Sequence, residues 1–301
     1  SDLMGWSLIT EHAPNFAAFI KHAANGDEIW ENELQKAVGL LQASDVKFQK
    51  IIHFLGTIGS GKSTLADVLC AMLGEKNVGY MSLKDFTEKF LRATMIDKLM
   101  LYVDEAKIGH STDAVEVSAW VQRISSGVGF QADMKNRDIR ESVYSSATML
   151  WTANEMPRFP DGAAALSRRL LVFPFPDGEE QRKRRGAPND PDLKSKMLAE
   201  VPWIAAWGLV GLVRLYREGV FRQPRDGVQH VEEYKRQASQ GHAFFCDCLV
   251  DEPNSMVSVA MLRHARCTIP STRRRTPART TCGYGRRTTA CTSGIACNGC
   301  Q

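Results

Sequence analysis

The eight residues from Gly56 to Ser63 carry the clearest chemical pattern in the sequence. They read Gly-Thr-Ile-Gly-Ser-Gly-Lys-Ser, which is the spacing G-x-x-x-x-G-K-S. An apolar, β-branched run, Ile51–Leu55, precedes them, and apolar residues at helical spacing follow as far as Leu73. Glycines allow the backbone N–H groups of such a loop to surround a phosphate, and the N-terminus of the following helix adds positive charge. The sequence therefore predicts a P-loop between a strand and a helix.

Two side chains of this loop have specific expected roles. Lys62 would reach the β- and γ-phosphates of ATP, and the Ser63 hydroxyl would be a ligand of Mg²⁺. ATP and Mg²⁺ are therefore the expected cofactors. The residues expected to bind the nucleotide are Gly56, Thr57, Ile58, Gly59, Ser60, Gly61, Lys62, Ser63 and Thr64.

Polar residues also follow two later apolar runs. Asp104 and Glu105 end the run Leu99–Val103, and Asn154 follows the run Thr148–Thr152. Asp104 would be the second metal ligand, acting through water, and Glu105 would polarise the water that attacks the γ-phosphate. Asn154, on a neighbouring strand, would orient that water or the phosphate. With these residues the P-loop becomes a candidate site of ATP hydrolysis, with Glu105 and Asn154 as catalytic residues.

The order of these motifs resembles that of the superfamily 3 helicases, in particular the ATPase part of phage- and plasmid-type primase-helicases. The resemblance covers roughly residues 30–262. Besides the P-loop, the segments that carry it are Leu101–Glu105, Ser126–Gly127 with Asp133–Arg137, Thr152–Phe159, and Asp161 with Ala165–Leu170. It implies an ATP-driven DNA helicase or translocase for phage or plasmid replication. Such an enzyme acts as a ring, most often a hexamer, on single-stranded or forked DNA.

The resemblance also implies roles for individual residues. Asn154 resembles the polar sensor of the family. Arg169 resembles the arginine finger that reaches the γ-phosphate held by a neighbouring subunit, with Arg168 as the alternative. Lys135, and with it Arg137, would lie on a hairpin that contacts DNA phosphates.

The alternation of apolar strands and helical segments predicts an α/β fold with a P-loop, AAA+-like parallel sheet and flanking helices. The expected parts are an N-terminal helical subdomain (1–48), the ATPase core (49–178) and a linker with a small helical C-terminal region (179–262). Residues 263–301 differ in kind, because His264–Gln301 contains no Asp, Glu or Lys and little apolar periodicity. We expect that segment to be a disordered tail from a frameshifted or truncated reading frame.

Composition limits the function classes only mildly. A net charge of +4 is compatible with a polyanionic partner without requiring one. The longest apolar stretch, Val201–Val213, is shorter than the roughly 20 residues that cross a bilayer, so a cytoplasmic protein without membrane partner is expected. A primase region or protein is a further expected partner.

Other interpretations remain open at the level of sequence. A nucleotide-controlled AAA+ assembly switch would share the P-loop, although it has less need of Glu105, and a small-molecule phosphotransferase would leave Asn154 and Arg169 without a role. The basic run Arg182–Arg185 is either a DNA contact or a solvated linker. One C-x-x-C pair among the late cysteines also leaves a four-thiolate zinc site open, formed by Cys282, Cys291, Cys297 and Cys300.

Overall fold

The apolar run before the glycine-rich loop forms strand β1, Ile51–Gly56, inside a five-stranded sheet. This computed structural model describes residues 3–88, 91–109, 113–131, 142–157, 159, 163–176, 178 and 190–238. The sheet is parallel, with the order β2-β3-β6-β1-β7. Its other strands are β2 (Val78–Met81), β3 (Met100–Val103), β6 (Thr148–Ala153) and β7 (Leu170–Phe175). The predicted α/β class with a parallel sheet is thus confirmed.

Strands β4 (Phe130–Gln131) and β5 (Ser142–Val143) form a separate antiparallel pair. The segment that joins them contains Lys135 and Arg137, which lie outside the described residues. Nine helices are described, numbered in chain order: α1 Leu3–His12, α2 Pro14–Ala24, α3 Glu28–Ala43, α4 Lys62–Leu73, α5 Ala114–Ser125, α6 Ala163–Ser167, α7 Leu193–Ala199, α8 Val201–Glu218 and α9 Arg225–Ala238.

Alternating residues of the strands face two apolar cores. In β1, Ile52 and Phe54 pack with helices α1–α4, α7 and α8, whereas Ile51 and Leu55 pack with α5 and α9. This period of two, buried on both faces, is the property of a parallel sheet covered by helices on each side. The result is a three-layer arrangement.

The N-terminal helices α1–α3 lie in the same layer as helices α7 and α8 from the C-terminal part of the chain. The buried Lys36 on α3 donates hydrogen bonds to Glu33 Oε1 at 2.6 Å and to Glu218 Oε2, at the end of α8, at 2.8 Å. Residues 1–238 form one compact unit. The expected boundaries at 48 and 178 stay predictions.

Several element boundaries follow the local signals in the sequence. Gly74 ends α4, and Gly219, with a φ of 70°, ends α8. The long C-terminal helical segment is broken between α7 and α8, with Pro202 in the first turn of the second helix, where its missing N–H costs no hydrogen bond. Strand β2 was not predicted, because its four residues include a glycine and only two apolar side chains.

Taken singly, the described helices are too short or too polar to cross a bilayer. Helices α7 and α8 satisfy a length and composition test only as a pair, and they meet at a bend of 68°. On α8, Ile204, Trp207 and Leu215 are buried in the core that also contains Ile52 and Phe54 of β1.

Candidate functional site

The glycine-rich loop that the sequence predicts to be a P-loop connects the end of β1 to the first turn of α4. Gly56 lies against the edge strand β7, where a Cβ atom would be 2.4 Å from the carbonyl oxygen of Phe175. Gly61, with a φ of 98°, turns the chain into α4, which begins at Lys62. A side chain at either position would collide with its neighbours or strain the backbone, so both glycines are required by this geometry.

Lys62 connects the loop to the end of strand β6. Its side chain is only 7% exposed, and Nζ donates hydrogen bonds to the carbonyl oxygens of Gly56 (2.6 Å) and Thr57 (2.8 Å). Nζ also donates to Asn154 Oδ1 at 3.2 Å. Burial lowers the pKa of Lys62, while the charge of Asp104 acts in the opposite direction. The lysine and the predicted sensor are therefore direct neighbours.

The sheet order explains why these residues meet. Strand β6 lies between β1 and β3, so that Asn154, Thr57 and Asp104 follow three adjacent parallel strands. The carboxyl ends of parallel strands lie at one edge of a sheet, where ligands of open α/β folds bind. The side chains that the sequence placed in separate motifs are thus brought to one edge.

Asp104 is held by neighbours on two strands. Its Oδ1 atom accepts hydrogen bonds from Thr152 Oγ1 (2.7 Å), Tyr102 Oη (3.2 Å) and the backbone N–H of Glu105 (3.0 Å). These contacts all fall on one oxygen, which leaves Oδ2 of this exposed carboxylate for another ligand. Burial is the main cause that raises the pKa of Tyr102, so its hydroxyl remains a donor.

Thr152 was not predicted as a site residue, although its position carried a signal. It is a hydroxyl residue near the end of a mostly apolar strand, one strand away from a carboxylate. Its hydrogen bond fixes the orientation of Asp104, and its carbonyl oxygen accepts from the backbone N–H of Ala106 at 2.7 Å. Thr152 therefore positions the chain on both sides of Glu105.

Glu105 is exposed and has a φ of 48°, in the left-handed region. This conformation is uncommon for a residue with a Cβ atom and stores local strain. It occurs where β3 ends and the chain turns back toward β6. Strain of this kind concentrates at functional sites.

The cavity around these residues has a volume of about 510 Å³. Its walls include P-loop residues from Ile58 to Thr64, and also Asp104, Glu105 and Asn154. In the described part of the chain, no group of three or more His, Cys, Asp or Glu side chains could hold a metal alone. Mg²⁺ commonly binds through one or two protein oxygens together with phosphates and water, so the Ser63 hydroxyl and the Asp104 carboxylate fit that ion with ATP.

The two candidate arginines differ in exposure. Arg169 is 5% exposed, and its Nη1 and Nη2 donate to the carbonyl oxygen of Ala165 and to Ser126 Oγ, each at 2.8 Å. Burial, and then the charge of Arg168, lower its pKa. Arg168 is exposed. An arginine that reaches a neighbouring subunit must be accessible, and Arg168 is the more accessible of the two, but the arginine-finger role of either residue stays a prediction.

Some predicted residues lie outside the described residues: Lys135, Arg137, the basic run 182–185, the four late cysteines and the tail 263–301. Their roles stay predictions.

The sequence model of a protein family of unknown function, DUF5906, matches residues 54–169, which is less than half of the chain. That span contains Gly56–Ser63, Asp104, Glu105, Asn154 and both candidate arginines.

Three solved apo structures of the NrS-1 C-terminal region are similar in fold. Their TM-scores are 0.55, 0.52 and 0.59, with sequence identities of 13%, 12% and 13%. The similarity covers 74%, 75% and 78% of this chain and 52%, 50% and 54% of the solved chains. This chain is therefore similar in fold to about half of the NrS-1 C-terminal region, and its P-loop segment matches a family whose function is unknown.

Proposed function

We propose that this protein hydrolyses ATP. The observation that carries the proposal is the convergence of Lys62, Asp104 and Asn154 at adjacent strand ends, with Lys62 Nζ 3.2 Å from Asn154 Oδ1. A phosphate loop alone would indicate binding only. A carboxylate pair and an amide at the same edge add the groups that hydrolysis needs.

Each residue has a defined task in this reaction. The loop N–H groups and Lys62 bind the phosphates, and Asn154 orients the γ-phosphate or the attacking water. The Glu105 carboxylate accepts a proton from that water. Ser63 and Asp104 would hold Mg²⁺, which supplies positive charge to the phosphate oxygens.

We further propose that hydrolysis drives movement on DNA, in a replication role of the phage or plasmid type. This part rests on the resemblance to superfamily 3 helicases and on the location of Lys135 and Arg137 between β4 and β5. A ring of subunits would present one such lysine per subunit to a passing strand, and each contact would neutralise a backbone phosphate.

ATP turnover with and without single-stranded DNA tests both parts of the proposal. We expect DNA to stimulate the wild type and Lys62→Ala to lower turnover about 100-fold or more. Lys135→Ala should keep basal turnover and lose the stimulation, whereas the exposed Lys84→Ala is a matched control that should keep both. Turnover that DNA leaves unchanged in the wild type would contradict the motor and favour a nucleotide-controlled assembly switch.

A further inference from the structure

The lining of the candidate ATP site includes residues that the phosphate chemistry does not use. Beyond the P-loop, its wall is formed by Phe19 on α2 and by Pro191 and Leu193 at the start of α7, with Asp190 and Lys194 beside them. These residues lie outside the segment that matches the family of unknown function. Phe19, Pro191 and Leu193 are thus an apolar part of the cavity lining, here called the apolar end, which comes from α2 and from the start of α7.

Phe19 is fixed directly against the P-loop. Its Cε2 and Cζ atoms lie 2.8 Å and 3.0 Å from the position that a Cβ atom on Gly61 would occupy. The ring is 7% exposed, so most of it packs in the core while part of it borders the cavity. The missing side chain at Gly61 is what allows an aromatic ring this close to the residue before Lys62.

The two helices that form the apolar end are tied together by one carboxylate. Glu200, between α7 and α8, accepts hydrogen bonds from the backbone N–H groups of Asn15 (3.1 Å) and Phe16 (2.8 Å) in the first turn of α2. Asn15 Nδ2 donates to the same carboxylate at 2.6 Å. A negative charge at a helix N-terminus is stabilising, and here it holds α2 against α7. The apolar end is therefore a preorganised wall.

We propose that Phe19 is the platform for the nucleobase of the bound nucleoside triphosphate. This assignment rests on the proposed ATP site. A flat aromatic ring beside a phosphate loop offers stacking to a planar base, and every base presents a π-face. The volume of about 510 Å³ lies within the range of pockets that enclose small-molecule ligands. Phe19 is thus a binding residue supplied by the N-terminal helical layer.

Isothermal titration with two ligands separates base recognition from phosphate binding. Wild type, Phe19→Leu and the matched control Phe48→Leu, which removes an aromatic ring that does not line the cavity, are titrated with ATP and with inorganic tripolyphosphate. We expect Phe19→Leu to weaken ATP binding roughly tenfold and to leave tripolyphosphate binding unchanged. Phe48→Leu should change neither affinity.

Each other outcome has a separate meaning. Equal ATP affinities in wild type and Phe19→Leu, or a parallel loss of tripolyphosphate affinity, overturns the assignment, because the ring then only supports the loop. If neither ligand binds the wild type, the proposed ATP site itself fails. Should Phe19→Leu be unstable, the wild type still decides: ATP should bind roughly tenfold more tightly than ribose 5′-triphosphate, and equal affinities overturn the assignment.

Discussion

Glu105, the proposed proton acceptor, combines a place in the cavity wall with a cost in stability. Its φ of 48° lies in a region that residues with a Cβ atom avoid, and its carboxylate is exposed at the cavity wall. Backbone hydrogen bonds on both sides hold it there, since Glu105 N–H donates to Asp104 Oδ1 and Ala106 N–H donates to Thr152. The surrounding strands therefore impose a conformation that the residue itself does not favour.

A glycine at this position should relieve the strain. We expect Glu105→Gly to be more stable to unfolding than Glu105→Ala by about 1 kcal/mol, because only glycine adopts a positive φ without cost. Chemical denaturation of the two variants measures the difference. The same pair at Glu116, in the first turn of α5, should show the opposite order, since glycine is the poorer helix residue there. Equal stabilities at position 105 would contradict the strain. Both variants at 105 should lose turnover.

At the scale of elements, strand β1 contains a histidine in an unusual environment. His53 is completely buried between Trp151 on β6 and Val172 on β7, and among the described residues neither ring nitrogen has a hydrogen-bond partner. Burial, followed by the charges of His230 and Lys62, lowers its pKa to about 3. The strand can therefore hold this imidazole only in its neutral form.

This burial predicts a pH dependence of stability. The pKa of His53 falls from 6.5 to about 3 on folding. Its contribution to the free energy of unfolding is therefore fully present above pH 6.5 and is lost as the pH falls toward 3. Between pH 7 and pH 5 the free energy of unfolding should fall by about 2 kcal/mol more in wild type than in His53→Leu. Chemical denaturation of both proteins at pH 7 and pH 5 measures this difference in the free energy of unfolding. His12→Leu, at a partly exposed histidine, controls for the loss of an imidazole, and parallel slopes for wild type and His53→Leu would refute the prediction.

The local elements of this fold could be predicted because their signals are local. The strand before the P-loop is visible as the β-branched run at Ile51, and α4 ends at Gly74, as its sequence indicates. The site residues Lys62, Asp104 and Asn154 were predicted from motifs that each occupy a few residues. Their meeting was expected, and the structure brings them together.

What could not be predicted depends on contacts between distant segments. The position of β6 between β1 and β3 determines that Thr152 binds Asp104, and no periodicity within a strand specifies its neighbours. Phe19 contacts Gly61 from helix α2, which lies more than a dozen residues before the ATPase core that the sequence predicts. The burial of Arg169 depends on Ser126, which lies on a different element.

At the scale of the whole molecule, the glycine-rich loop and Arg168 lie at opposite ends of the strands of the sheet. Gly56 pairs with Phe175 at the carboxyl end of β7, whereas Arg168 lies just before Leu170 at the opposite end. Five steps along strand β7, from Leu170 to Phe175, separate these ends, which is roughly 16 Å at about 3.3 Å per step. Arg168 is therefore remote from the P-loop of its own chain. If it acts on a γ-phosphate, that phosphate must be held by a neighbouring copy.

Complementation between two inactive variants tests this arrangement. Glu105→Gln removes the proton acceptor from its own site, and Arg168→Ala removes the arginine that would complete the site of a neighbour. Each variant alone should have little turnover. In an equal mixture whose subunits exchange, about a quarter of the head-to-tail interfaces pair an intact Glu105 with an intact Arg168, so about a quarter of the wild-type turnover should return.

The mixture needs two controls. Co-purification through a tag on one variant establishes that mixed assemblies form. In a parallel mixture, Arg169→Ala replaces Arg168→Ala. Because Arg169 is buried and hydrogen-bonded within its own chain, its loss should lower the melting temperature of the variant itself rather than produce a defect that a neighbour repairs.

Mixed assemblies of Glu105→Gln and Arg168→Ala that stay inactive would show that Arg168 does not complete a neighbouring site. Recovery with Arg168→Ala but not with Arg169→Ala would assign the in-trans arginine to Arg168, as the difference in exposure predicts.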